Sequence, residues 1–161
     1  MNKTLILDAC NLLHASPDYR ELMAHNFDAA LDQLTQEARV FHDLDGLPVS
    51  LVIDGKGETI DWHHPTSEPH LSWAYAPKGI SADTVIERWV CRWPNPAELT
   101  VVTGDRALAQ TVESHGAQTW SPGQFMDEVN SARRRLTQKT RTVRKKSGPL
   151  SDDWKSRLPD L

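Results

Sequence analysis

Three aspartates stand at the ends of three apolar runs. Leu5-Ile6-Leu7 ends in Asp8, Val49–Ile53 (Val-Ser-Leu-Val-Ile) ends in Asp54, and Leu99–Val102 (Leu-Thr-Val-Val) is followed by Thr103-Gly104-Asp105. Asp83 and Glu87, four residues apart, share one face of any helix that contains them. Carboxylates gathered at one place repel one another and resist desolvation, and they stay ionised when a divalent cation sits among them. Oxygen donors alone, with no His or Cys in register, favour Mg²⁺ or Mn²⁺ over Zn²⁺. Each acid has an ordinary alternative role. A strand-end aspartate often caps the next helix, which Asp105 could do for Ala107-Leu108-Ala109, and Asp83 suits the first turn of a helix on dipole grounds. The coincidence carries more weight than any single residue. Aspartate is 14 of 161 residues, so three hits at three strand ends exceed chance.

That convergence requires elements able to produce it. The three runs are β-rich and lack clean alternation, as strands buried on both faces of a parallel sheet do. Parallel strands present their C-terminal ends at one edge, where open α/β sheets bind ligands. Between the first two runs, Phe27, Ala30, Leu31, Leu34, Ala38 and Phe41 follow helical spacing behind Asn26 as N-cap. Ser81 can cap a helix running through Ile86 to about Val90. Asp105 opens another that ends near His115-Gly116, and Ser121-Pro122 opens a third carrying Phe125, Met126, Val129, Ala132 and Leu136. Strands alternating with helices predict a three-layer α/β domain with right-handed crossovers. Residues 55–69 read as a long surface loop before a short strand at 71–76. From Lys139 onward there are too few apolar residues for independent packing, although Trp154 and Leu158 could dock a final turn on the body.

Composition narrows the class. A chain of 161 residues, 39% hydrophobic and 25% charged, is one ordinary globular domain. No apolar run approaches the ~20 residues of a membrane-spanning helix. The first residues reach an acid too early for a signal peptide, and Cys10 and Cys91 fit no metal or redox spacing. A cytoplasmic protein with reduced thiols and no membrane partner is expected. The net charge of −4 is unevenly spread: residues 1–132 carry −11, and residues 133–146 carry +8 from Arg133, Arg134, Arg135, Lys139, Arg141, Arg144, Lys145 and Lys146. An acidic body that could hold cations, with a basic arm that could hold a polyanion, is one reading; a solvated helix end is the other. Trp62, His63, His64, His70, Trp73 and Tyr75 surround the irregular loop, and rings of this kind can stack single-stranded bases. The histidine spacing matches no common zinc site. Trp73 and Tyr75 alternate as core residues of a strand could, and Trp89, Trp93 and Trp120 read as packing.

The ordered set of motifs resembles a known family. Leu-Ile-Leu-Asp-Ala-Cys-Asn-Leu-Leu (5–13) is similar to the strand-Asp-Gly-x-Asn opening of NYN nucleases in the PIN-like superfamily. Lys78-Gly79-Ile80-Ser81-Ala82-Asp83-Thr84-Val85-Ile86-Glu87 resembles the Ala-Asp-x-x-Ile-Glu signature of the YacP-like branch. Val101-Val102-Thr103-Gly104-Asp105-Arg106 is similar to its Thr-Ser-Asp element, and Val52-Ile53-Asp54-Gly55 falls where its second strand ends in Asp. The resemblance implies a PIN-like, Rossmann-like α/β/α domain over residues 1–136 with a central, mostly parallel sheet of about five strands. A basic C-terminal arm and tail follow over residues 137–161. It also implies a metal-dependent endoribonuclease that hydrolyses single-stranded RNA, with mRNA and the ribosome as the setting. Asp8, Asp54, Asp83 and Asp105 would hold one or two Mg²⁺ or Mn²⁺ ions, Glu87 would assist, and Asn11 would orient Asp8 or the scissile phosphate. Ala9 replaces the usual Gly, and Gly104 replaces a Ser or Thr; neither change removes a carboxylate.

For RNA to approach the acidic body, cations must offset its charge. Lys78 and Arg106 are expected near the sheet edge. Arg133, Arg134, Arg135, Lys139 and Arg141 would track a phosphate backbone, and Trp62 and His63 would meet bases. PIN-like domains often pair, so a homodimer fits the resemblance, although no patch in the sequence demands one. Two other readings stay open: an RNA-binding module that no longer cleaves, and a toxin-type PIN ribonuclease with a protein inhibitor. A dinucleotide enzyme is disfavoured because Asp-Ala-Cys-Asn, and no G-x-G-x-x-G, follows the first strand.

Overall fold

The computed structural model describes residues 3–64 and 70–146; the expected docking of Trp154 and Leu158 lies outside them. The expected buried strands form β1 (Thr4–Asp8), β2 (Val49–Ile53) and β5 (Leu99–Val102), and β4 (Leu71–Tyr75) and β6 (Gln118–Trp120) extend the same sheet. The strand order is β3-β4-β2-β1-β5-β6. All neighbours run parallel except β3 (Asp61–His63), which lies antiparallel on the outer side of β4. The sheet therefore has six strands where about five were expected. The extra strand falls in the stretch read as loop, because all three of its residues are exposed and give no apolar signal.

Side-chain alternation divides the core into two layers. Leu5 and Leu7 face one side with Val49, Leu51 and Ile53, covered by α1 (Ala9–Ala15), α2 (Pro17–His25), α3 (Phe27–Asp45) and α6 (Pro122–Lys146). Ile6, Val52 and Val101 face the other side, under α4 (Ala82–Arg92) and α5 (Arg106–Ser114). The helix signals act as their chemistry requires. Asn26 Oδ1 accepts from Ala29 N at 3.1 Å, and Ser81 Oγ accepts from Thr84 N at 3.3 Å. At the start of α6, Ser121 Oγ accepts from Gln124 N while Gln124 Oε1 accepts from Ser121 N, a reciprocal capping box. Gly116, past the end of α5, adopts φ +94°. A buried Tyr19 hydroxyl donates to Glu37 Oε2 at 2.6 Å and ties α2 to α3.

Two features set the geometry of function. First, β2, β1 and β5 are parallel neighbours, so Asp8, Asp54 and the loop to Asp105 emerge at one edge, at the point where the strand order reverses around β1. Second, α6 starts at that edge and runs the length of the domain. By Lys139, about 25 Å along its axis, the Lys139 side chain donates to the Leu44 carbonyl at the far end of α3. The helix continues unbroken through residue 136 to Lys146, so the basic arm extends the fold as regular helix. No helix among the described residues is long and apolar enough to cross a membrane.

Candidate active site

Asp8 ends β1 at the centre of the sheet and is 3% exposed. Its Oδ1 accepts from the Asn11 amide at 3.3 Å, so it caps α1 as well as facing the edge. Its Oδ2 accepts from Thr103 Oγ1 at 3.0 Å, and Thr103 Oγ1 in turn accepts from the Asp105 amide at 3.1 Å. Accepting that amide leaves the Thr103 proton for Asp8. The buried hydroxyl thereby links the end of β1 to the loop after β5. Asp83, in the first turn of α4, comes close enough to Asp8 to share a proton with it.

The electrostatics follow from that packing. Burial first, and then the Asp83 charge, push the Asp8 carboxyl up to about 7, against the pull of the Thr103 and Asn11 hydrogen bonds. Burial also raises Asp83. Its hydrogen bond with Asp8 opposes the rise, and the charges of Asp105 and Asp54 add to it. Asp54 Oδ1 accepts from Ala82 N at 2.8 Å and so supports the start of α4. Asp105 Oδ1 accepts from Ala107 N at 2.8 Å and Leu108 N at 3.0 Å. The ordinary capping role and the convergence therefore hold together for three of the four aspartates. Cys10 lies beside Asp54, and burial raises its thiol pKa. Glu87 is half-buried one turn beyond Asp83.

The donors here are carboxylate oxygens that repel one another when ionised, which suits a hard divalent cation. Among the described residues no three acid, histidine or cysteine side chains are already closed around one point. The chemistry of the site fits an ion, but the cage is not preformed.

The other expected contacts separate by position. The Asn11 side chain meets the loop after β5, where its Oδ1 accepts from Gly104 N at 2.6 Å. A Cβ on Gly104 would stand 3.0 Å from that oxygen and 3.3 Å from Pro122 Cγ, so a larger residue there would press on the Asn11 side chain. Lys78 and Arg106 are exposed at the carboxylate edge, before α4 and at the start of α5. Arg133, Arg134, Arg135, Lys139 and Arg141 are exposed on the second half of α6, toward the opposite end of the sheet. Arg135 lies 3.9 Å from Asp45. Trp62 and His63 are neighbours in sequence on opposite faces of the sheet. Trp62 stacks on Trp89 of α4, while His63 sits edge-on to Tyr75 and 2.9 Å from Asp61 on the α3 side. Trp73 Nε1 donates to Thr35 Oγ1 at 3.1 Å, a packing role. The Thr103 hydroxyl is the site feature that sequence reasoning did not single out; its only signal was a hydroxyl two residues before an expected ligand.

The family model for the YacP-like NYN domain matches residues 5–159. Crystal structures of Rae1 (YacP) from Bacillus subtilis share the fold. One has a TM-score of 0.71 at 23% identity, covering 90% of this chain and 83% of that one. Its W164L mutant has a TM-score of 0.72 at 23% identity, covering 92% and 86%. No curated protein matches the sequence.

Proposed function

The chain belongs to the YacP-like NYN domain family, and from that premise, a nuclease-type family acting on RNA, we propose that it is a divalent-metal-dependent endoribonuclease for single-stranded RNA. The observation that carries the reading is the Asp8–Asp83 pair, two carboxyls within reach of one proton at the sheet edge, under the field of Asp54 and Asp105. Asp8, Asp54, Asp83 and Asp105 would hold Mg²⁺ or Mn²⁺, one ion or two. When bound, such an ion neutralises charge at the phosphate and lowers the pKa of the attacking water.

The remaining chemistry belongs to this chain. Thr103 fixes the rotamer of Asp8 and the path of the loop bearing Asp105. Asn11 clamps Gly104 and so sets the spacing between the ends of β1 and β5. Glu87 assists Asp83 through water, and Lys78 and Arg106 draw phosphates to the edge. The basic half of α6 holds the strand beyond, giving affinity that is indifferent to sequence and sensitive to salt. Messenger RNA on the ribosome, in the cytoplasm, is the setting we infer from the family resemblance.

The test is cleavage of an end-labelled, unstructured RNA with Mg²⁺ or Mn²⁺, with EDTA, and with Asp83→Asn. We expect metal-dependent cutting that leaves 5′-phosphate and 3′-hydroxyl ends and falls at least ~100-fold in the variant, the scale of losing a preorganised electrostatic contact. Terminal 2′,3′-cyclic phosphates would overturn the water-attack mechanism, and cutting that survives in Asp83→Asn would overturn the site. The absence of a preformed cage among the described residues favours one second reading, an RNA-binding module without catalysis. Salt-sensitive RNA binding without cutting would establish it.

A further inference from the structure

Trp62 is 45% exposed on a short edge strand, more than any other large hydrophobic residue among those described. Its ring lies nearly parallel to Trp89, with centroids 4.9 Å apart and planes 14° apart, and it also stacks with His64. Beside this stack is a cavity of about 260 Å³ lined by Thr4, Ile6, Ser50, Trp62, Trp89, Arg92 and Trp93. Three indole rings and one guanidinium surround it, and no acid among the described residues lines it, although residues 1–132 carry a net charge of −11. Thr4 begins β1, whereas Asp8 ends it; Trp89, Arg92 and Trp93 end the helix that Asp83 begins. By register Trp62 pairs with Ala74, Ala74 with Val52 and Val52 with Asp8, so Trp62 stands level with Asp8 and about 14 Å from it across three strand spacings, while Thr4, Arg92 and Trp93 extend the cavity toward the opposite end of the sheet.

We propose that this cavity is a nucleobase subsite: one base of the RNA strand stacks on Trp62 within it, and Arg92 takes the neighbouring phosphate. The inference rests on the nuclease reading for its ligand and adds a second point of contact. Flat aromatic walls suit any base, because every base has a π-face. Arg92, exposed and without an ion pair among the described residues, supplies the complementary charge for a phosphate. A purely apolar partner would leave Arg92 without a counter-charge. At a stacked rise of 3.4 Å per nucleotide, the roughly 14 Å across the sheet corresponds to about four nucleotides. The subsite therefore selects for strands longer than that and holds them in register with the cutting edge.

The experiment measures anisotropy of a labelled oligouridine, long enough to reach both ends, and of a labelled dinucleotide. Both are titrated in EDTA against the full chain and its Trp62→Ala, Trp62→Phe and Arg92→Ala variants. Because Trp62 is exposed, its replacement leaves the core intact, and Trp62→Phe retains a stacking face. We expect Trp62→Ala to weaken binding of the long strand about 5- to 150-fold, the range one stacked base gives. Its salt slope should be unchanged, Trp62→Phe should restore most of the affinity, and the dinucleotide, which carries the one base and phosphate the subsite takes, should lose affinity in Trp62→Ala as well. Arg92→Ala should lower the salt slope by about 0.7. Equal affinity of Trp62→Ala and the native chain overturns the proposal. So does a change in oligomeric state with RNA binding intact, which would make this face a contact between copies. A Trp62-dependent affinity in a chain that cuts no RNA would support the subsite while overturning the nuclease reading, and cutting without Trp62 dependence would do the reverse.

Discussion

Asp8 shows what one buried carboxyl costs and what would recover it. Its pKa stands near 7 in the folded chain against an ordinary 3.8, with burial as the leading cause and Asp83 the next. Between those two values the native state holds a proton that the unfolded chain has released. Stability is therefore greatest below about pH 4 as far as this group is concerned, and it falls as pH rises through 7. By pH 8 the loss amounts to at most ~4 kcal/mol at about 1.4 kcal/mol per unit. Asp8→Asn keeps an acceptor for Thr103 and offers Asp83 a donor in place of the shared proton. We expect it to raise the melting temperature at pH 8 and to change it little at pH 4. Mg²⁺ should stabilise the native chain at pH 8 by neutralising the same pair, and should do so far less in Asp8→Asn. A native melting temperature that is flat from pH 4 to 8 and indifferent to Mg²⁺ would contradict this account, and calorimetry across that range decides it. The four aspartates were legible in the sequence because both the residue type and its place at a strand end are written there. The Thr103 hydroxyl was not, since its partner lies 95 positions away. Nor was the separation of Trp62 from His63, which only strand alternation imposes.

At the scale of elements, a glycine at the end of β2 keeps the edge together. A Cβ on Gly55 would come within 2.2 Å of the Ala76 carbonyl oxygen and 3.1 Å of Tyr75 Cβ. Backbone meets backbone there, so no side-chain rotation relieves the contact. Ala76 N also donates to Ile53 O at 2.7 Å, which locks the ends of β2 and β4 side by side. Gly55→Ala must break that pairing and shift Asp54, the next residue back. It should cost about 3 kcal/mol or more, at the top of the range for overpacking, and should disable cleavage with it. Urea unfolding of Gly55→Ala beside Gly57→Ala, whose nearest neighbour would be Thr59 O at 3.6 Å, separates this crowding from a general effect of glycine replacement; equal midpoints would refute it. Caps and periodicity made α3 through α6 readable from the chain. By contrast, α1 and α2 are short, and α2 buries only Tyr19, so they left little apolar pattern. The outer strand β3 left none, because edge pairing needs only a backbone.

Across the whole molecule, charge and distance divide the work between two ends. The carboxylates occupy the C-terminal edge of the sheet, and α6 carries its arginines to the other end. The charge asymmetry was plain in the sequence; that the arm lies far from the acids was not, because it follows from where α6 begins and how far it runs. Some of its cations have structural partners. Lys139 donates to Leu44 O, Arg135 pairs with Asp45 across 3.9 Å, and Arg133 acts on Tyr19. Arg134 and Arg141 are exposed and make no such contact among the described residues, so any phosphate binding along the arm would fall mainly to them. Arg134→Ala with Arg141→Ala should leave the unfolding midpoint unchanged and reduce the slope of log K against log salt by about 1.4, two phosphates on a single strand. Lys139→Ala should instead lower stability, because it removes a donor from the end of α3, and should change the slope less. Binding isotherms at several salt concentrations, with the metal chelated, distinguish the two. An unchanged slope in the double variant would return the arm to a solvated helix end and leave the carboxylate edge and the aromatic cavity to hold the strand alone.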